Sequence, residues 1–146
     1  MAKDPILVVF QLTGGNDYLN TIVPRQDGLY RDYRKNIVIP EGEEIPIDDN
    51  YGFHPEMGAL KPFWEEGKMA LIHGIGYENS PRSHFRSMDI WHTCEPDKIG
   101  TEGWVGRATK VVDPGKENVL TAVNFGQGLP RAMAMKGVPV ASVSDI

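Results

Sequence analysis

"ILVVF", residues 6–10, is an unbroken apolar and largely β-branched run with no polar alternation. That pattern belongs to a strand covered on both faces, which places it in the interior of a sheet. Three further segments read the same way: "MALIHGIG" (69–76), "VLTAVNF" (119–125) and "VPVASVS" (138–144). Between them the period changes. In "HPEMGALKPFWEEG", Pro55 suits a first helical position, Met57, Leu60, Phe63 and Trp64 share one face, and Gly67 ends the pattern. "SHFRSMDIWHTC" (83–94) predicts a helix opened by Ser83, with Phe85, Met88 and Trp91 as its buried stripe. "EGWVGRATKVV" (102–112) predicts a further short helix. The stretch 27–53, acidic and broken by prolines, is expected to be a surface excursion holding at most small strands or turns. Buried strands alternating with amphipathic helices predict an α/β fold: one domain over 1–146, with a mainly parallel sheet flanked by helices on both faces.

Composition is compatible with that reading. The chain has 146 residues, 40% hydrophobic and 24% charged, enough for a packed core. A formal charge of −5 without a Lys/Arg block argues against nucleic acid and against an anionic membrane surface. No apolar run approaches the roughly eighteen residues of a membrane span, and "MAKDPILVVF" lacks the regions of a signal peptide. Cys94 is the single cysteine, so no internal disulfide or thiolate metal cluster can form, and it is expected to be a partly buried small hydrophobe. The strand pattern at 138–144 runs almost to Ile146, from which we expect a piece of a longer protein, able to self-associate through exposed sheet edges.

In parallel α/β sheets, function collects in loops at the carboxyl ends of strands. The first such loop offers Thr13, Gly14, Gly15, Asn16, Asp17 and Asn20. Glycines let backbone approach a ligand closely, and Asp17 would suit a hard cation; alternatively Asn16 or Asp17 closes an Asx-turn or caps a helix. No Gly-Lys-Ser/Thr follows, so this is no phosphate-binding P-loop. The second loop ends at Ser83 between Arg82 and His84. A serine at a helix N-terminus can attack a phosphoryl or sulfuryl centre while free N–H groups stabilise the oxyanion and Arg82 or Arg86 forks onto its oxygens, or it is simply the cap. His73, inside an apolar run, is expected in the core, and Asp89 and His92 are expected to hydrogen-bond along one helix. G-x-S-x-G is absent, and a serine triad is not indicated.

"LTGGNDYLNTIVP", "YRDYR", "GFHPEMGALKPFWEEGKMALIHGIG", "RSHFRSMDIW" and "GWVGR", in this order and over nearly the whole chain, resemble the N-terminal part of the bacterial domain of unknown function 1501 family. The resemblance implies an alkaline phosphatase-like α/β metallohydrolase fold and a longer protein, often exported by the twin-arginine route, hence a periplasmic or extracytoplasmic location. It implies a divalent metal such as zinc, manganese or calcium, with Asp17 as candidate ligand and Asn16 beside it. Ser83 becomes the candidate nucleophile, with His84 and Arg82 as neighbours, and the substrate a small anionic phosphate or sulfate ester. The alternative under the same fold is a non-catalytic binding or assembly module of the cell envelope, in which Asp17 and Ser83 are a turn residue and a cap.

Overall fold

The computed structural model describes residues 5–12 and 16–144. The chain divides into two compact units, Met1–His73 and Gly74–Ile146.

In the first unit, α1 (Tyr18–Thr21) leads into β1 (Ile22–Pro24). Then come α2 (Gly28–Tyr33), β2 (Ile45–Pro46) and β3 (Tyr51–Phe53), followed by a 3-10 turn (Pro55–Leu60) continuous with α3 (Lys61–Glu65). Asp27 opens α2 by accepting the Leu29 N–H at 2.8 Å, which satisfies one of the orphan donors of the first turn. The three strands form an antiparallel sheet in the order β1-β3-β2, with Val23 opposite Gly52 and Ile45 opposite Phe53. Ile22, Val23, Tyr30 and Phe53 are the buried apolar residues of this unit. Trp64 meets Phe53 edge to face, with centroids 6.4 Å apart, and its indole N–H donates to the Ile47 carbonyl at 3.0 Å. Tyr30 Oη donates to Asn20 Oδ1 at 2.8 Å and accepts from the Ile39 N–H at 2.9 Å, so its buried hydroxyl is satisfied on both sides.

One buried charge organises the sheet's edge. Glu44, only 4% exposed, accepts from Arg25 Nε at 2.8 Å and from the Gly42 N–H at 2.9 Å. Burial pushes the carboxyl's pKa up, but hydrogen bonds from Arg25, from its own N–H and from Gly42, with the Arg25 charge, outweigh it and leave the group below its ordinary value. A carboxyl whose folded pKa is depressed stabilises the fold above its unfolded pKa, about 4.3 for glutamate, and that contribution is lost as pH falls through the folded value. We expect the urea midpoint of the first unit to fall on acidification below that range, and Glu44→Gln to flatten the acid limb. An unchanged acid limb in the variant would remove Glu44 as its source.

The second unit contains α4 (His84–Thr93), α5 (Trp104–Val112), β4 (Val123–Phe125), a 3-10 turn (Arg131–Met133) and β5 (Ala141–Val143). The strands β4 and β5 pair in parallel, Val123 opposite Ala141, and the connection between them carries the 3-10 turn on which both helices pack. Gly103 and Gly106 allow that packing, because α5 runs against the backbone of Ala132 and Met133. Arginines tie the loops down: Arg131 donates to the Gly100 carbonyl at 2.7 Å and pairs with Asp89 at 3.1 Å, and Arg107 donates to the carbonyls of Thr93 (2.7 Å) and Glu102 (2.8 Å). Asn124 Nδ2 clamps the parallel pair, donating to Ser142 Oγ at 2.9 Å and to the Gly128 carbonyl at 3.0 Å.

This architecture corrects the expected fold. The structure has a small antiparallel sheet and a two-stranded parallel one with a few short helices, not a mainly parallel sheet flanked by helices on both faces. The decisive segments are 6–10 and 69–76. Neither enters a ladder, and Ile6, Leu7, Phe10, Ile72 and Ile75 are exposed. Apolar content says that a segment gains by being covered; it does not supply the hydrogen-bonding partner that makes a strand. The excursion at 27–53, by contrast, provides two of the three strands of the antiparallel sheet. The runs at 119–125 and 138–144 become strands only over Val123–Phe125 and Ala141–Val143.

The helices lie close to their expected places with altered faces. α4 buries Ile90 and Thr93, while Phe85 is 88% exposed and Trp91 is exposed, so the stripe Phe85, Met88, Trp91 is not the buried one. His73 is exposed: it accepts or donates at 2.6 Å with Tyr18 Oη and stacks on Tyr51 with centroids 4.6 Å apart. Cys94 is also exposed and closes α4 in a left-handed conformation, φ 54°.

Candidate functional site

Asn16 and Asp17 lie in the first unit, at the entry to α1; Thr13, Gly14 and Gly15 lie outside the described residues. The Asp17 carbonyl accepts the N–H groups of Asn20 (3.1 Å) and Thr21 (2.9 Å), while its side chain makes no bond to the helix it precedes. Its carboxylate instead pairs with the guanidinium of Arg34, which also lies 5.9 Å from the centroid of the Tyr30 ring. Asn16 Oδ1 accepts the Thr21 hydroxyl at 2.8 Å.

These donors do not fit a divalent metal. A hard cation wants several anionic or carbonyl oxygens with free lone pairs. The carboxylate available here is already neutralised by a full positive charge, and the amide oxygen beside it is already accepting a proton. Among the described residues no group of three His, Cys, Asp or Glu side chains could hold a metal ion. Nothing in the sequence ties Arg34 to Asp17, because it stands seventeen positions on, at the end of "YRDYR" in the acidic, proline-broken stretch.

Arg82, Ser83 and His84 lie in the second unit at the head of α4. Ser83 has extended backbone angles, φ −100° and ψ 115°, and its Oγ accepts the Arg86 N–H at 3.3 Å while its carbonyl accepts the Ser87 N–H at 2.9 Å. It is therefore an N-cap, as its residue type predicts. The N–H groups of His84 and Phe85 belong to the first turn and have no intrahelical acceptor. All three side chains line one open cleft of about 270 Å³ with Pro81 and Ser87. A second cleft of about 320 Å³ adjoins it through Pro81 and is lined by Tyr77, Arg86, Ile90 and Asp97 among others.

Chemistry at this end of α4 is graded by what each side chain already does. Arg86 donates through Nη2 to the carbonyls of Pro96 (3.0 Å) and Lys98 (2.7 Å), whereas its buried Nη1 has no hydrogen-bond partner, so an anion could be forked by Arg82 and met by one nitrogen of Arg86. Tyr77 Oη and Ser87 Oγ are 3.0 Å apart. Hydrogen bonds from Ser80 and then Ser87 hold the Tyr77 phenol below its ordinary pKa, with the Arg86 charge adding to them against a small desolvation. Tyr77 and Ser87 gave no sequence signal, since their pairing depends on the turn at 78–79 that brings Tyr77 back beside α4.

No family model matches this chain, and no significant match was found among curated proteins or solved structures. Among the described residues no helix is long and apolar enough to cross a membrane.

Proposed function

We propose that the chain contributes the N-terminal part of an extracytoplasmic hydrolase of phosphate or sulfate esters, with the ester anion received in the cleft at the head of α4. The single observation that carries this is the convergence of Ser83, Arg82 and His84 on that cleft, and the ordered motifs resembling the domain of unknown function 1501 family support it. In this reading the exposed Arg82 guanidinium and the unpaired first-turn N–H groups hold the anion. Ser83 Oγ attacks the phosphorus or sulfur in line. The new Oγ bond forms as the ester bond breaks, and the departing alcohol carries away the serine's proton; water then displaces Oγ, its oxygen leaving on the released phosphate or sulfate while one of its protons returns to Oγ. His84, adjacent to the nucleophile, shapes the cleft mouth. Any divalent ion at Asp17 would have to displace Arg34 from its carboxylate.

The experiment is hydrolysis of 4-nitrophenyl phosphate and 4-nitrophenyl sulfate by the full-length protein, with and without zinc, manganese or calcium. Ser83→Ala is expected to lower turnover at least about a thousandfold, as loss of a nucleophile does, while costing about 1 kcal/mol of stability as a lost cap. A second reading, a non-catalytic binding or assembly module of the cell envelope, is favoured by the pairing of Asp17 with Arg34 and the capping bond of Ser83. It predicts no turnover of either ester and only the stability change in Ser83→Ala.

A further inference from the structure

An in-line displacement leaves a proton to be moved. Attacking and leaving oxygens stand on opposite sides of the phosphorus or sulfur, so Ser83 cannot hand its proton directly to the departing alkoxide. A group beside the leaving oxygen has to supply one. Ser87 is placed for that: it lies one turn beyond Ser83 on α4, its N–H donating to the Ser83 carbonyl at 2.9 Å, and it lines the same cleft. Its Oγ is 3.0 Å from Tyr77 Oη, so a hydroxyl in the cleft is joined to a phenol behind it. Tyr77 in turn lines the adjoining cleft of about 320 Å³, which meets the first at Pro81. With Ile90 and Pro96 in its wall, that second cleft has room for the organic part of an ester.

We propose that Tyr77 and Ser87 form a proton relay that protonates the leaving alcohol, an inference that rests on the hydrolase reading above. The Ser87 hydroxyl gives its proton to the departing oxygen as the ester bond breaks and takes the Tyr77 proton in exchange. Tyr77 is left as a phenolate and regains a proton from the water of the open clefts, into which Ser83 has released its own. In net, one proton leaves Ser83 and one departs with the alcohol. The surroundings favour the charged intermediate. Hydrogen bonds from Ser80 and then Ser87, with the Arg86 charge, hold the phenol below its ordinary pKa against desolvation. A phenol so shifted is a better general acid than a free tyrosine, because efficiency rises as the pKa nears the working pH. The other charged groups lining Tyr77's cleft are Glu78 and Asp97, and Arg82 and His84 line the cleft of Ser83.

Two esters compared in the full-length protein test the relay. Phenolate is about as basic as ionised tyrosine, whose conjugate acid has a pKa of about 10, and it needs a proton to leave. 4-Nitrophenolate is a far weaker base and leaves without one. Tyr77→Phe is expected to lower kcat/KM about a hundredfold for phenyl phosphate, the lower end for loss of a general acid, with a loss at least about tenfold smaller for 4-nitrophenyl phosphate. Ser87→Ala is expected to show the same bias, and alanine in a helix interior keeps α4 formed. The unaltered protein is expected to lose activity on phenyl phosphate as pH rises through the lowered Tyr77 value, because only the protonated phenol can donate. Tyr77→Phe is expected to lack that alkaline limb. Equal losses on the two esters in either variant, or a limb that survives Tyr77→Phe, overturn the relay and leave the hydrolase reading standing. No turnover of either ester by the unaltered protein, with or without zinc, manganese or calcium, overturns that reading and the relay with it.

Discussion

Gly103→Ala is expected to unfold the packing of the second unit, with a loss of at least about 3 kcal/mol in a urea titration, at or beyond the upper end for overpacked sites. The backbone of Gly103, at φ −73°, is open to any residue, so the effect comes from space alone. A methyl group there would stand 2.1 Å from the Ala132 carbonyl oxygen and 2.2 Å from the Arg131 carbonyl oxygen. These are backbone atoms, held by the 3-10 turn Arg131–Met133 and by Arg131's bonds to Gly100 and Asp89, and they have no rotamer with which to retreat. Relief would require α5 to move off the turn, and the Gly103 N–H would then lose the Ala134 carbonyl, now at 2.7 Å. Gly106→Ala supplies the comparison. Its methyl meets the Met133 carbonyl oxygen and Met135 Cβ at 2.8 Å, and alanine is worth close to 1 kcal/mol over glycine inside a helix. We expect the smaller loss there. A Gly103→Ala protein with an unshifted urea midpoint would show that α5 does not dock as described.

Phe53→Ala is expected to cost the first unit about 3–5 kcal/mol, the range for truncating a buried phenylalanine. Phe53 is fully buried at the centre of a three-stranded sheet, opposite Ile22 on one side and Ile45 on the other, with Trp64 against its ring. Removing the ring leaves a cavity bounded by strand backbone and strips the indole of its edge-to-face partner. Fluorescence of Trp64, in a protein whose Trp91 and Trp104 are phenylalanine, would follow the transition. A midpoint within experimental error of the parent would mean that the sheet is not the core of this unit.

What could be read from the residues divides along a physical line. Local signals survived: Ser83 at the head of α4, Pro55 opening the 3-10 turn and Gly67 just after α3 all act through their own or neighbouring backbone groups. Non-local ones did not. The run 6–10 is the strongest strand pattern in the chain and enters no ladder, while Gly52 and Phe53, in a segment taken for surface, hold the middle of a sheet. Periodicity reports burial only when burial decides the pairing, and here the sheet is organised in part by Glu44, Arg25 and Asn20, whose polar side chains contribute nothing to an apolar pattern. The candidate site divides the same way. The placing of Arg82, Ser83 and His84 on one cleft follows from adjacency along a helix start, whereas the commitment of Asp17 to Arg34 needed seventeen residues of chain to fold back.

The carboxylate of Glu44 has one more consequence, for how this sequence is free to drift. A Cβ added at Gly52 would stand 2.7 Å from Glu44 Cγ, so the side chain of one position occupies the volume that the other gives up. A side chain at 52 needs the space that Glu44 fills beyond its Cβ, and the Ile45 carbonyl oxygen, 3.1 Å from the same point, must also give a little. Substitutions there are therefore contingent on order: an enlargement at 52 is admissible only in a lineage that has already shortened 44, and with that shortening the ionic tie to Arg25 has gone as well.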